Sequence, residues 1–228
     1  MFFFDIQYMI FMIPAFILMA LTSWYVRHSY DKWSQVAARS GLTGAQAAQR
    51  LASAGGLHGV RIQGVHGEMT DHYDPRDKTL NLSEGVANVP SVAALAIAAH
   101  ELGHAMQDAE EYFPLRLRAA LVPAVNIGSN LGWILILVGL FLNFMQLAWV
   151  GVAVFSLGAV FALATLPVEF DASARAKRLL TEAGIIVGED ERGGVNQVLN
   201  AAALTYVAAL VTAVLQVLYY VSLLRRRD

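Results

Sequence analysis

The stretch AAHELGHAMQ, Ala98 to Gln107, carries the pattern His-Glu-x-x-His at His100, Glu101 and His104. Residues four apart share one face of an α-helix, so His100 and His104 aim their rings at a common point. Glu101, beside the first histidine, can reach a water held there. Two imidazoles and a carboxylate in this spacing are the parts of a metal ligand pair and a general base. The helix must therefore be placed in water or in lipid, and a further ligand must be found.

Outward from the motif, the apolar run before His100, VPSVAALAIAA, is only eleven residues long. The run after it, MQDAEEYFPLRLR, is strongly polar. A membrane crossing needs about 20 mostly apolar residues, so the motif helix belongs to a polar domain. Pro90 and Ser91 mark its start, and Pro114 lies past its end near Glu111. Before it, VRIQGVHGEMTDHYDPRDKTLNLS is rich in β-formers around the turn Asp74-Pro75-Arg76-Asp77. Short strands are expected at Val60–Val65, Glu68–His72 and Thr79–Leu82. Upstream, Thr43 caps a short helix with Gln46 three residues on, and Gly55-Gly56 end it.

The rest of the chain is apolar. Of 228 residues, 57% are hydrophobic and only 15% charged, and mean hydropathy is +0.50; soluble domains run nearer a quarter charged. Four stretches are long enough to cross a bilayer: Ile6–Val26, Ala119–Leu142, Leu147–Leu166 and Ala203–Leu224. No Lys or Arg precedes Arg27, so the first reads as a retained span rather than a cleaved leader. Asn126, Ser129 and Asn130 lie inside the second and are expected to face protein or a cavity. A second polar region, Pro167–Asn200, holds an expected helix from Pro167 to Ala183. The chain has no cysteine, which excludes disulfides, thiolate ligands and a Cys nucleophile. A net charge of −2 without a basic stripe argues against a nucleic-acid partner.

A catalytic zinc takes three protein ligands and keeps a fourth position open. No histidine follows His104, and Glu110 stands where an extended motif would place one. The third ligand is therefore a carboxylate or one of His28, His58, His66 and His72. Glu169, in LPVEFDASARA, is the favoured candidate, with Asp171 its nearest competitor. The two spans between His104 and Glu169 carry the chain across the membrane and back to the same side. Asp171, Ser173 and Asp108 are candidates to support the imidazoles. His66 and His72 read better as turn or strand-edge residues. The strand at Thr79, Leu80, Asn81 and Leu82 is a candidate to bind an extended peptide at a free sheet edge. Tyr206, polar within an apolar helix, is a candidate to stabilise an oxyanion.

The chain resembles the YugP-type neutral zinc metallopeptidases of bacterial membranes. The likeness rests on LTGAQAAQRL, DHYDPRDKTLNLS, AAHELGHAMQ, LPVEFDASARA and NAAALTYVAAL, in that order, and runs over nearly the whole chain. More distantly it is similar to the HtpX and Ste24 membrane proteases, whose third ligand is the Glu of a Glu-x-x-x-Asp motif. That resemblance puts the ligand at Glu169, while the Asp position is taken by Ser173.

The expectation is an α+β, mostly helical integral membrane protein with about four transmembrane helices and a zincin-like metallopeptidase domain containing a small β-sheet. Its parts are a membrane helix in 1–26, the catalytic domain in 27–118, two membrane helices in 119–166, a helical region supplying the third ligand in 167–200, and a last membrane helix with a basic tail in 201–228. One Zn2+ per chain, held by His100, His104 and Glu169 with Glu101 as base, would hydrolyse peptide bonds of a protein or peptide substrate at the bilayer. The alternatives are a zinc-stabilised scaffold without catalysis, and an intramembrane protease of the site-2 type. No Asn-x-x-Pro…Leu-Asp-Gly motif supports the latter. Arg27, Lys32, Arg39, Arg116, Arg118, Arg175, Lys177 and Arg178 all flank span ends on the catalytic side, whereas the loop Asn143–Gln146 is uncharged. The positive-inside rule then places the catalytic domain in the cytoplasm, at the plasma (inner) membrane. Arg225, Arg226 and Arg227 oppose that orientation if all four segments cross fully.

Overall fold

The computed structural model describes residues 6–227. In chain order the elements are α1 (Ile6–Ser34), α2 (Gly44–Ala54), β1 (Arg61–Val65), β2 (His72–Asp74), β3 (Thr79–Ser83), α3 (Glu84–Ala87), α4 (Val92–Ala109), α5 (Phe113–Phe141), α6 (Met145–Phe155), α7 (Leu157–Glu182) and α8 (Glu189–Arg225). They form two compact units. One contains α1 as far as Ser23, Arg116–Pro167, and the chain from Thr205 on. The other contains Trp24–Leu115 and Val168–Leu204.

The first unit is the apolar one. Among the described residues, four helical stretches are long and apolar enough to cross a membrane: Ile6–Ser34, Phe113–Phe141, Met145–Glu182 and Glu189–Arg225. We take the spanning segments to be the parts of these helices inside the first unit. Small residues bring α5 and α6 together. A methyl group on Gly132 would lie 2.6 Å from the Phe155 nitrogen, and one on Gly151 2.6 Å from the Ile136 nitrogen. Bare helix surfaces let backbones approach and gain dispersion contacts where lipid offers no hydrophobic drive. Asn126 and Asn130 are exposed rather than covered by protein, while Ser129 is half-buried. Their own helix meets part of the polar demand, because Asn130 Nδ2 donates to the Asn126 carbonyl at 3.2 Å.

The second unit is built round α4. Ala93, Ala94, Ala96, Ala98 and Ala99 are completely buried, so small side chains let neighbours close on the helix from several sides. Ser91 caps it by accepting the Ala94 N–H at 3.1 Å. On one side α4 shares a core with α2, through Ala47 and Leu51, and with Ala176, Leu180, Ile185 and Leu199 of the α7–α8 region. On another, Ala94 and Ala98 meet Leu80 and Leu82 of β3. The capping box on α2 forms as its sequence implies. Gln46 N–H donates to Thr43 Oγ1, and Thr43 N–H donates to Gln46 Oε1.

The three strands lie in the order β1-β3-β2. β1 runs parallel to β3, with Ile62 opposite Leu80, and β2 runs antiparallel to it, with Tyr73 opposite Leu80. Two expectations are corrected here. The second strand in sequence is His72–Asp74 rather than Glu68–His72, because Gly67 (φ +103°) and Met69 (φ +56°) turn the chain before it. And β3 is the central strand, so Thr79, Leu80, Asn81 and Leu82 have no free edge to offer a peptide; Leu80 and Leu82 are fully buried. The helix expected from Pro167 does not start there. Pro167 lies inside α7, which continues unbroken from Leu157.

Candidate metal centre

The site lies within the second unit, between α4 and the polar half of α7. The helical spacing of four places His100 and His104 side by side, with ring centroids 4.8 Å apart and planes at 84°. Glu169, on α7, is 2% exposed. Its Oε2 lies 3.3 Å from His100 Nε2 and 3.6 Å from His104 Nε2. One ligand atom from each of the three residues falls within 4.8 Å of the others, a grouping that could hold a metal ion. Neighbouring donors round a tetrahedral zinc with bonds of about 2.0–2.1 Å lie roughly 3.3–3.4 Å apart. The 3.3 Å separation matches that size and the 3.6 Å one exceeds it by a few tenths of an ångström, and two imidazoles with a carboxylate form a donor set suited to zinc. The residues present fit the ion.

Electrostatics agree with that assignment. Burial alone would raise the Glu169 carboxyl, but hydrogen bonding to His100 and His104 and their charge outweigh it and hold the group below the usual carboxylate range. Glu169 thus remains an anionic donor. Burial alone would likewise lower the His104 imidazolium. The hydrogen bond to Glu169 and the nearby charges of Glu101 and Glu169 reverse that and raise it.

Each ring is also held from behind. Ser173 Oγ lies 3.2 Å from His100 Nδ1, so the position where the distant relatives carry Asp has a polar partner within reach. Gln107 Oε1 lies 3.0 Å from His104 Nδ1. Asp171 does not touch either imidazole. It accepts from Gln107 Nε2 at 2.8 Å and from Arg175 Nε at 2.6 Å. Asp108 accepts from the Tyr73 hydroxyl at 2.9 Å. Gln107 is the residue that sequence reading missed. Its only signal was a position three after His104, on the same helix face.

Glu101 is held apart from the three donors. Its Oε2 accepts the backbone N–H of Tyr73 at 3.0 Å, so the outer edge of β2 anchors it. The remaining histidine candidates fall elsewhere. His66 is almost fully exposed beside Glu84; His72 Nδ1 lies 2.8 Å from the Thr70 carbonyl. His58 lines an open hollow between α2 and β1 with Gln46 and Gln49, and His28 stacks on Trp24. Tyr206 is on α8 in the apolar unit.

Comparison with known proteins gives this geometry a family. A family model described as "Putative neutral zinc metallopeptidase" matches residues 8–225. The chain belongs to that family. It is also 41% identical over 224 residues to the "Putative membrane protease YugP" of Bacillus subtilis (strain 168), covering 96% of this chain and 99% of the relative. No solved structure matches it. The neutral zinc metallopeptidase description fits the donor set of His100, His104 and Glu169, and the membrane designation of the relative fits the four apolar helices.

Proposed function

We propose that this chain is an integral-membrane zinc endopeptidase whose ligands are His100, His104 and Glu169 and whose general base is Glu101. The observation that carries the reading is the division of labour among four neighbouring side chains. Three converge on one point, while the fourth, one residue from His100, is tethered to Tyr73 instead. A scaffold site needs the three; only hydrolysis needs the fourth.

His100, His104 and Glu169 would hold a zinc ion, which would supply Lewis acidity toward the scissile carbonyl and the attacking water. Glu101 takes the proton of the attacking water on a carboxylate oxygen and delivers it to the leaving amine nitrogen. Tyr73 N–H holds that carboxylate in reach of the water and away from the ligand position. His100 and His104 are oriented by their second ring nitrogens, and Glu169 balances charge from within the core.

The substrate class follows from the sheet. The outer edge of β2 is unpaired by any strand among the described residues, and its Tyr73 N–H points to the catalytic carboxylate. An extended peptide can add to such an edge through backbone groups other than the Tyr73 N–H, which Glu101 occupies, so β2 rather than β3 is the candidate to take the substrate. The cationic residues at span ends support a cytoplasmic orientation of this unit, with the bilayer as its second partner. Replacing Glu101 by Gln tests the reading. The variant is expected to keep bound zinc and lose peptide cleavage in purified protein. Cleavage at the unaltered rate would reject Glu101 as the base, and loss of activity that tracks loss of zinc would leave a structural site.

A further inference from the structure

Either ring nitrogen of a histidine can face a metal, and the choice is set by what the other nitrogen meets. At His104 the other nitrogen meets Gln107 Oε1, 3.0 Å from Nδ1. A carboxamide turned end for end would present an N–H there instead. The far end of the amide settles its direction. Gln107 Nε2 donates to the Val168 carbonyl at 2.8 Å and to Asp171 Oδ2 at 2.8 Å. A carbonyl oxygen and a carboxylate only accept. Reversal would set Oε1 against both, and Gln107 is fully buried, so solvent offers no substitute. Oε1 therefore faces His104 and accepts, Nδ1 carries a hydrogen, and Nε2, beside Glu169, is the nitrogen left to face a metal.

The clamp is itself clamped. Arg175 Nε donates to Asp171 at 2.6 Å, and Arg175 Nη1 pairs with Glu110 at 2.8 Å. The Arg175 guanidinium also lies over the Tyr112 ring, 5.7 Å from its centroid. Gln107 is on α4 and Glu110 just past its end; Asp171 and Arg175 are on α7. The chain thus runs by hydrogen bonds from the helix bearing both histidines to the helix bearing Glu169, and back by the Arg175–Glu110 ion pair.

We propose that Gln107 is a positioning residue for His104: an amide locked by Val168 and Asp171 that fixes which imidazole nitrogen faces the metal. This rests on His104 being a ligand, not on peptide cleavage. It also makes a demand that a plain acceptor would not. Glutamate would accept from Nδ1 at least as well as glutamine does, but it has no N–H for Val168 or Asp171 and brings a second carboxylate beside Asp171.

The test is zinc affinity of the full-length, metal-stripped protein in detergent, by competition with a chromophoric chelator, with the Co2+ absorption spectrum as a report on ligand geometry. Three variants are compared: Q107M, which keeps bulk without polarity; Q107E, which keeps the acceptor; and Q107E/D171N, in which Asn at 171 can donate to the carboxylate. Q107M and Q107E are each expected to bind Zn2+ about 10–100-fold more weakly, the usual cost of removing a ligand's supporting partner, and to change the Co2+ spectrum. The double variant is expected to recover part of the Q107E loss. Wild-type affinity in Q107E would overturn the clamp, since acceptance alone would suffice. So would wild-type affinity in Q107M with an unchanged unfolding temperature. If Q107M does not fold, Q107E and its double variant decide. None of these readouts depends on cleavage, whereas Glu101→Gln tests cleavage and leaves the clamp intact.

Discussion

Gly103 packs against the backbone of Ala172, so that a methyl group built on it would lie 2.6 Å from the Ala172 carbonyl oxygen. Gly103 stands between Glu101 and His104, and Ala172 is three residues past Glu169. The glycine is therefore what lets α7 approach α4 closely enough for Glu169 to reach both imidazoles. Gly103→Ala is expected to push α7 outward, because the obstacle is backbone and cannot swing aside. Overpacking of this kind costs about 1–3 kcal/mol. The specific signature is that zinc affinity falls together with the unfolding temperature of the metal-free protein. Unchanged affinity in the alanine variant would show that the interhelical gap does not set the ligand spacing.

The two carboxylates of LPVEFDASARA make separable contributions. Glu169 touches both histidines, while Asp171 reaches only Gln107 and Arg175. Glu169→Ala removes a donor outright, so zinc binding is expected to fall beyond the roughly 10–100-fold typical of a supporting residue. Asp171→Ala is expected to stay within that range. Equilibrium dialysis of both variants checks the order. Greater loss in Asp171→Ala would make Asp171 the ligand.

Much of this arrangement can be read along the chain, and the part that cannot is long-range. The Thr43–Gln46 capping box, β1 and β3 to within one residue at an end, and the motif helix follow from local chemistry: a hydroxyl three residues before an amide, β-forming runs beside a turn, a serine before an apolar period. Which strand is central depends on pairing between residues far apart in sequence, and period-two alternation does not contain it. That is why an edge was expected at Thr79–Leu82 and occurs at His72–Asp74. Gln107 is a common helix residue by composition; it acquires a role only when Val168 and Asp171 arrive from a helix some sixty residues on. Glu169 stood out through topology and resemblance, since spacing alone left Asp171 open.

Tyr73 offers a test in which backbone and side chain can be separated. Its hydroxyl donates to Asp108 and its N–H to Glu101. Tyr73→Phe is expected to cost about 1 kcal/mol of stability for the lost hydrogen bond, with zinc binding and kcat retained. Tyr73→Pro also removes the N–H. Proline is tolerated on edge strands because the missing donor points away from the sheet, so the fold is expected to survive while Glu101 loses its anchor and kcat falls. Equal kcat in the two variants would dissociate the Tyr73 N–H from catalysis.

Orientation can be decided without altering background residues, because the natural chain contains no cysteine. Two expected spans, Ala119–Leu142 and Leu147–Leu166, separate His104 from Glu169 along the chain, so the short connection between α5 and α6 is expected on the opposite side of the bilayer from the ligands. Asn143 there has φ +51°, which disfavours a cysteine at that position. Gln146 is exposed within α6 and carries no such strain. With the zinc-binding unit in the cytoplasm, a cysteine at Gln146 is expected to react with a membrane-impermeant maleimide added outside intact spheroplasts. A cysteine at Gln49, exposed on α2, is expected to react only after lysis. The reverse pattern would put the ligand unit outside the plasma membrane and give Arg225, Arg226 and Arg227 the inner side that their charge favours.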